Sequence, residues 1–210
     1  MADNLDRYLK ASSKELNEAL IWLERETNIR TNHARMLSGP LLGRLLEMIS
    51  RMLKPVNILE IGTFTGYSSI CLAQGLATDG HLDAIEINDE LEFLIREGFS
   101  RAGLSDKITL HFGDAKQIIP TLQREYSLIY IDANKREYCL YYDLVFDLLS
   151  KGGYIIADNV LWNGKVFQEP VPQDAQTKEI IRFNKKIKED HRVENFILPL
   201  RDGLNIIRKL

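Results

Sequence analysis

Two short apolar runs in this 210-residue sequence each end in a carboxylate. Leu128-Ile129-Tyr130-Ile131 stops at Asp132, and Tyr154-Ile155-Ile156-Ala157 stops at Asp158, with Asn159 next. Runs of this kind read as strands buried on both faces of a parallel sheet. In open α/β sheets, ligands bind outside the carboxyl ends of the strands. Asp132, Asp158 and Asn159 are therefore expected to converge on one crevice. Two carboxylates and an amide oxygen form a hard, all-oxygen set that suits Mg²⁺, Mn²⁺ or Ca²⁺ and not zinc. Lys135 follows Asp132 closely enough to serve as a base beside such an ion. A lone strand-end aspartate is more often a cap than a ligand, and a lone lysine is more often a surface ion-pair partner. The chemistry rests on the combination.

A second constellation lies upstream. Leu59-Glu60-Ile61-Gly62-Thr63-Phe64-Thr65-Gly66-Tyr67-Ser68 reads as a strand, a tight turn and a helix start. Gly62 and Gly66 let the backbone turn sharply and approach a ligand. Glu86 closes the next strand, where an acid accepts hydrogen bonds from ribose hydroxyls. Asp114, after the third strand, is placed to accept from an adenine amino group and also to cap the following helix. A dinucleotide site needs Gly-x-Gly-x-x-Gly to seat pyrophosphate on the helix N-terminus. Here the spacing is Gly-x-x-x-Gly, and Glu60 adds negative charge nearby. Both features favour a cationic nucleoside without phosphate, and S-adenosylmethionine (SAM) fits.

The elements that must position these residues follow from periodicity. Residues 5–27 carry Leu5, Leu9, Leu16, Leu20 and Leu23 at helical spacing. A second helix is expected over 40–53, with Ser38 as candidate N-cap and Lys54-Pro55 as its end. Strands are expected at 56–61, 82–87, 108–112, 128–131 and 154–157. Helices are expected between them at 67–76, 89–102, 115–123 and 138–149. This alternation predicts an α/β fold with a doubly wound, mostly parallel sheet. A helix near 174–190 then precedes runs at 196–200 and 204–208. The Asp202-Gly203 turn between these runs predicts a C-terminal antiparallel strand. The Gln168–Gln173 stretch reads as a surface loop that could rim the site.

Composition sets limits. One domain over 1–210 is the simplest reading, with an N-terminal helical segment (1–53) and a Rossmann-like core (54–210). A net charge of −3 argues against a large nucleic-acid surface. Cys71 and Cys139 lack a spacing motif and read as reduced, buried thiols. The four histidines (His33, His81, His111 and His191) show no ligand spacing. No apolar run approaches the roughly 20 residues of a membrane span, and Met1-Ala2-Asp3-Asn4 shows no signal peptide. A cytoplasmic protein is expected.

On these motifs, with Ile85-Glu86, Tyr130-Ile131-Asp132-Ala133-Asn134-Lys135 and Ala157-Asp158-Asn159-Val160-Leu161, the chain resembles a known family. These are the SAM-dependent, divalent-metal-dependent O-methyltransferases of the catechol and caffeoyl-CoA type, in their small bacterial form with the seven-stranded class I methyltransferase fold. The resemblance implies that Glu60, Gly62, Tyr67 and Ser68 hold the methionine part of SAM. Glu86 would bind the ribose, and Ile87, Asp114 and Ala115 would surround the adenine. Asp132, beside the cofactor, would bind a divalent ion, usually Mg²⁺, together with Asp158 and Asn159. Lys135 would be the catalytic base. The resemblance also implies a homodimer. Two departures stand out: Asn134 replaces an acid of the plant branch, and Pro40-Leu41-Leu42-Gly43 replaces an acid and a polar residue common in members.

The expected reaction is methyl transfer to one hydroxyl of a small catechol-like acceptor. A lysine takes a phenolic proton near neutral pH only where burial or a nearby dication lowers its basicity. The alternative keeps the chemistry and changes the acceptor to a hydroxyuridine in tRNA. For it, the basic run Arg182, Lys185, Lys186 and Lys188 could touch phosphate, although such a run is more often a solvated helix face. A SAM-binding module without catalysis and an NAD-dependent oxidoreductase are the remaining readings. Trp22 and Trp162 could be core or could line a substrate wall, and Trp162, shortly after Asp158-Asn159, could stack on a flat aromatic substrate. Arg30, Arg35 and Met36 lie in a segment placed to cover the site.

Overall fold

The computed structural model describes residues 2–14 and 17–210. Its strands are β1 Asn57–Ile61, β2 His81–Glu86, β3 Ile108–Phe112, β4 Tyr126–Ile131, β5 Leu149–Asp158, β6 Val193–Leu198 and β7 Leu204–Lys209. They form one sheet in the order β3-β2-β1-β4-β5-β7-β6. The first five are mutually parallel, and β7 runs antiparallel between β5 and β6. This is the doubly wound, mostly parallel sheet that the sequence predicts. Parallel strands covered on both faces must be apolar along their length. Ile58, Leu59, Leu128 and Ile129 are accordingly removed from solvent altogether.

The helices are α1 Ala2–Ser12, α2 Glu18–Arg30, α3 Gly39–Leu53, α4 Tyr67–Ala73, α5 Glu92–Arg101, α6 Ala115–Ile118, α7 Tyr138–Phe146 and α8 Ala175–Glu189. One face of the sheet packs against Leu20, Leu23, Leu42, Leu46, Ile70 and Ile95 from α2 to α5. The other packs against Tyr138, Tyr142, Val145, Ile180 and Phe183 from α7 and α8. Cys71 and Cys139 are both free and buried. Among the described residues, no helix is long and apolar enough to cross a membrane.

The structure corrects several boundaries. The single helix expected over 5–27 is two helices. Helix α1 ends at Ser12, and the Asn17 side chain caps α2 by accepting from Ala19 N at 2.8 Å. Leu16 lies outside the described residues. Ser38 is not a side-chain cap: it is itself helical (φ −57°, ψ −35°). The helix expected over 115–123 tightens into a 3-10 turn at Ile119–Thr121, where Pro120 removes a backbone donor. Strand β5 starts at Leu149 and not at 154, with an irregular pairing to β4 near Tyr126.

Candidate active site

The carboxyl ends of β1, β2, β4 and β5 open into one cavity of about 790 Å³. Its lining includes Gly62, Tyr67, Ser68, Glu86, Ile87, Asp114, Ala115, Asp132, Lys135, Asp158 and Asn159. The structure thus gathers the residues singled out from sequence, with Glu60 set one layer behind the wall.

The first half of the cavity is built on the turn after β1. Gly62 N and Thr63 N donate to the Ile85 carbonyl at 3.0 and 3.2 Å, fastening the turn to the end of β2. Gly62 and Gly66 sit at φ +94° and +91°, a conformation that favours glycine. Glu60 is fully buried. Its Oε2 accepts from Ser69 Oγ and Thr63 Oγ1, while Oε1 has no partner. Burial pushes its carboxyl up to about 7, against the pull of the Ser68, Ser69 and Thr63 hydroxyls. An unpartnered buried acceptor of this kind is completed by a donor or a cation, as the ammonium of SAM would provide.

Glu86 accepts from Phe64 N on Oε2 (2.6 Å) and from Ile87 N and Asn88 N on Oε1 (3.0 and 2.9 Å). Oε2 keeps a lone pair for a ribose hydroxyl. Asp114 caps α6 through Lys116 N at 3.0 Å, so its capping role is real, and it lines the cavity as well. Tyr67 lines the cavity at the start of α4. Its ring turns toward α3, where a β-carbon on Gly43 would come within 2.7 Å of its Cε1.

The second half is built on β4 and β5. Lys135 Nζ donates to Asp132 Oδ1 at 2.7 Å and to the Ala133 carbonyl at 3.1 Å. Its side chain is only 10% exposed. Asp158 accepts from Asn159 N on Oδ1 (2.6 Å) and from the Tyr130 hydroxyl on Oδ2 (3.0 Å). Burial, with the Asp132 charge nearby, raises the pKa of its carboxyl. Asn159 holds a left-handed conformation (φ 59°). Two close carboxylates and an amide on one wall fit a hard divalent ion, whose charge would relieve their mutual repulsion.

The rim comes from three remote segments. The 3-10 turn Ala34–Met36, with Leu37 and Ser38, faces Trp162, Asn163, Arg201 and Asp202 across the opening. The Arg201 guanidinium donates to the Ser38 carbonyl and, at 3.2 Å, to the Leu37 carbonyl. Asp202 Oδ1 accepts from Asn163 N at 2.5 Å. Arg35, Met36 and Trp162 line the cavity, whereas Trp22 is partly buried against the core with Arg101 over its ring. The part played by Arg201 and Asp202 was not foreseen. No local motif marks it, since the bond to Ser38 joins residues 163 apart.

The model of the O-methyltransferase family matches residues 10–210 of this chain. The chain belongs to the O-methyltransferase family. This O-methyltransferase is 34% identical over 181 residues to caffeoyl-CoA O-methyltransferase 1 of Eucalyptus globulus, across 80% of the chain and 72% of that relative. Its fold matches the SAH-bound methyltransferase PaMTH1 of Podospora anserina with a TM-score of 0.91 and 29% identity, covering 100% of this chain and 95% of the other. It matches the O-methyltransferase TomG of Streptomyces achromogenes, involved in tomaymycin synthesis and solved with SAM, with a TM-score of 0.92 and 27% identity, covering 98% and 96%. The protein is a SAM-dependent O-methyltransferase with the class I methyltransferase fold, as its strand-end motifs imply.

Proposed function

We propose that this O-methyltransferase transfers the methyl group of SAM to one hydroxyl of a small aromatic acceptor bearing two vicinal hydroxyls, and that the reaction requires Mg²⁺ or a similar ion. The observation that carries the reading is the placement of Lys135, Asp132 and Asp158 in the cavity that also holds the Gly62–Gly66 turn. The name of the Eucalyptus relative, a caffeoyl-CoA O-methyltransferase, supports an aromatic acceptor.

In this reading Gly62, Tyr67 and Ser68 seat the methionine part of SAM, and Glu60 compensates its positive charge from behind Ser68 and Thr63. Glu86 takes the ribose, and Ile87, Asp114 and Ala115 flank the adenine. Asp132, Asp158 and Asn159 would hold a divalent ion, and the chemistry such an ion would supply is to acidify and orient an acceptor hydroxyl. Lys135, in its neutral amine form, would accept the hydroxyl proton as the oxygen–methyl bond forms and the sulfonium–methyl bond breaks. Trp162 supplies a flat wall. The protein contributes mainly alignment and charge placement.

Residues 1–210 act as one catalytic unit in this proposal. Its support is the packing of α2 on α5 and the bond from Thr27 Oγ1 to Thr65 Oγ1, 3.0 Å, which reaches the cofactor turn. A homodimer, implied by the family resemblance, is checked by sedimentation velocity. The tRNA reading gains nothing from the helix that was to carry it. Arg182 pairs with Glu179 at 2.8 Å and Lys186 with Asp143 at 2.6 Å. These carboxylates offset two of the four cations that were to meet phosphate, and Lys185 lies 3.9 Å from Glu189.

The test is methyl transfer from labelled SAM to a catechol panel and to bulk tRNA, each with Mg²⁺ and with EDTA. Label in a catechol only with metal is the expected result. Metal-independent transfer overturns the role given to Asp132, Asp158 and Asn159, and label in tRNA alone overturns the acceptor.

A further inference from the structure

Strand β4 carries a tyrosine, Tyr130, inside an otherwise aliphatic and fully buried stretch. A phenylalanine would fill that space without a hydroxyl to satisfy. Tyr130 pairs in register with Ile156, which sets its side chain beside Asp158 on the neighbouring strand. Its hydroxyl donates to Asp158 Oδ2 at 3.0 Å. A second buried phenol reaches the same residue from α7. The Tyr138 hydroxyl donates to the Asp158 carbonyl at 2.8 Å, with the Ile131 carbonyl 3.3 Å away. The Tyr138 ring also lies under the Lys135 ammonium, 5.0 Å from ring centroid to Nζ.

We infer that Tyr130 and Tyr138 are positioning residues that brace Asp158, by side chain and main chain respectively, in the orientation that completes the divalent-ion site. This rests on the metal reading proposed above. With Asn159 N on Oδ1 and Tyr130 on Oδ2, the plane of the Asp158 carboxylate is fixed, and each oxygen retains a lone pair for an ion. A phenol suits the task because it is neutral. A cationic partner, such as the one Lys135 gives Asp132, would compete with the incoming ion for the same charge. Tyr138 acts one bond further back: it ties the ends of β4 and β5, the strands that carry Asp132 and Asp158, and supports the side chain of Lys135. Such partners orient metal ligands and, when removed, typically weaken binding by 10- to 100-fold.

The experiment titrates Mn²⁺ into wild-type protein, Tyr130→Phe and Tyr138→Phe, following free Mn²⁺ by electron paramagnetic resonance. SAH affinity and thermal midpoint are measured on the same samples. Tyr130→Phe is expected to raise the Mn²⁺ Kd about tenfold while leaving the SAH Kd within about twofold, because the cofactor turn is untouched. Tyr138→Phe is expected to weaken Mn²⁺ binding less and to lower kcat with little change in the KM for SAM. A folded Tyr130→Phe protein that binds Mn²⁺ like wild type overturns the inference, even where its melting point falls. Should Tyr130→Phe not fold, unchanged Mn²⁺ affinity and kcat in Tyr138→Phe overturn it. Wild-type protein that binds no Mn²⁺ overturns the metal reading itself, a distinguishable failure.

Discussion

Gly62 and Asp132 share one space. A β-carbon at Gly62 would overlap the Asp132 carbonyl group, and the residue already sits at φ +94°. The Gly62–Gly66 turn and the strand end that carries Asp132 are therefore in direct backbone contact. Gly62→Ala is expected to cost about 2–4 kcal/mol from the unfavourable φ and the overlap together. A thermal melt should show a fall of several degrees, and SAH binding should weaken in parallel. A variant with wild-type melting and SAH affinity would refute the contact.

Glu60 is expected to link pH to stability and, if it faces the ammonium of SAM as proposed, to cofactor binding. Its folded pKa is raised from 4.5 to about 7, so the folded state favours the protonated form. This contribution is fully present below about pH 4.5 and is lost as pH rises through about 7. The cofactor-free protein should lose on the order of 3 kcal/mol of stability across that range, read by urea denaturation at pH 5 and pH 8. A ligand ammonium reverses the preference. SAM binding near pH 6 should then release a proton, seen as a calorimetric enthalpy that depends on buffer ionisation. Absence of proton release would remove Glu60 from the ammonium site.

Gly43 lies in the middle of α3, where alanine would gain about 1 kcal/mol of helix propensity. A β-carbon there meets Tyr67 Cε1 at 2.7 Å and Cys71 Sγ at 2.9 Å, and both residues are buried. Overpacking of this kind costs about 1–3 kcal/mol, so the clash outweighs the propensity. Gly43→Ala should unfold at lower urea with an unchanged slope. A stabilised variant would show that the Tyr67 ring has room to move.

Arg201 fastens the Leu37–Ser38 segment across the cavity mouth. Arg201→Ala should raise the KM for the acceptor about tenfold, the equivalent of one charge-assisted hydrogen bond of about 1.5 kcal/mol. The SAH Kd should stay constant, since the Arg201 bonds go to Leu37 and Ser38 and not to the Gly62–Gly66 turn. Equal loss of both affinities would mean that the segment serves the whole cavity.

Much of this architecture is legible from local pattern. Parallel strands covered on both faces leave apolar runs such as Leu128–Ile131, and their carboxyl ends announce a site through Asp132, Asp158 and Glu86. The Gly62–Gly66 turn is legible because its backbone demand falls within a few residues. Ser38 misleads for the opposite reason: it has the chemistry of a cap, but its role is set by a carbonyl that faces Arg201. The bond between Tyr130 and Asp158 depends on β4 and β5 being neighbours. No spacing rule within either strand encodes that adjacency.

The Arg201–Ser38 bond also bears on how substrate preference can change in descendants of this chain. One wall of the cavity, the one proposed to meet the acceptor, is assembled from stretches near residues 36, 162 and 201, which recombination separates easily and random mutagenesis seldom alters together. A new side chain in one stretch arrives among partners selected for the old one. Libraries that vary one loop at a time should mostly yield weaker versions of the parent enzyme. Varying all three in one library, with the cofactor turn held constant, is the search that the geometry favours.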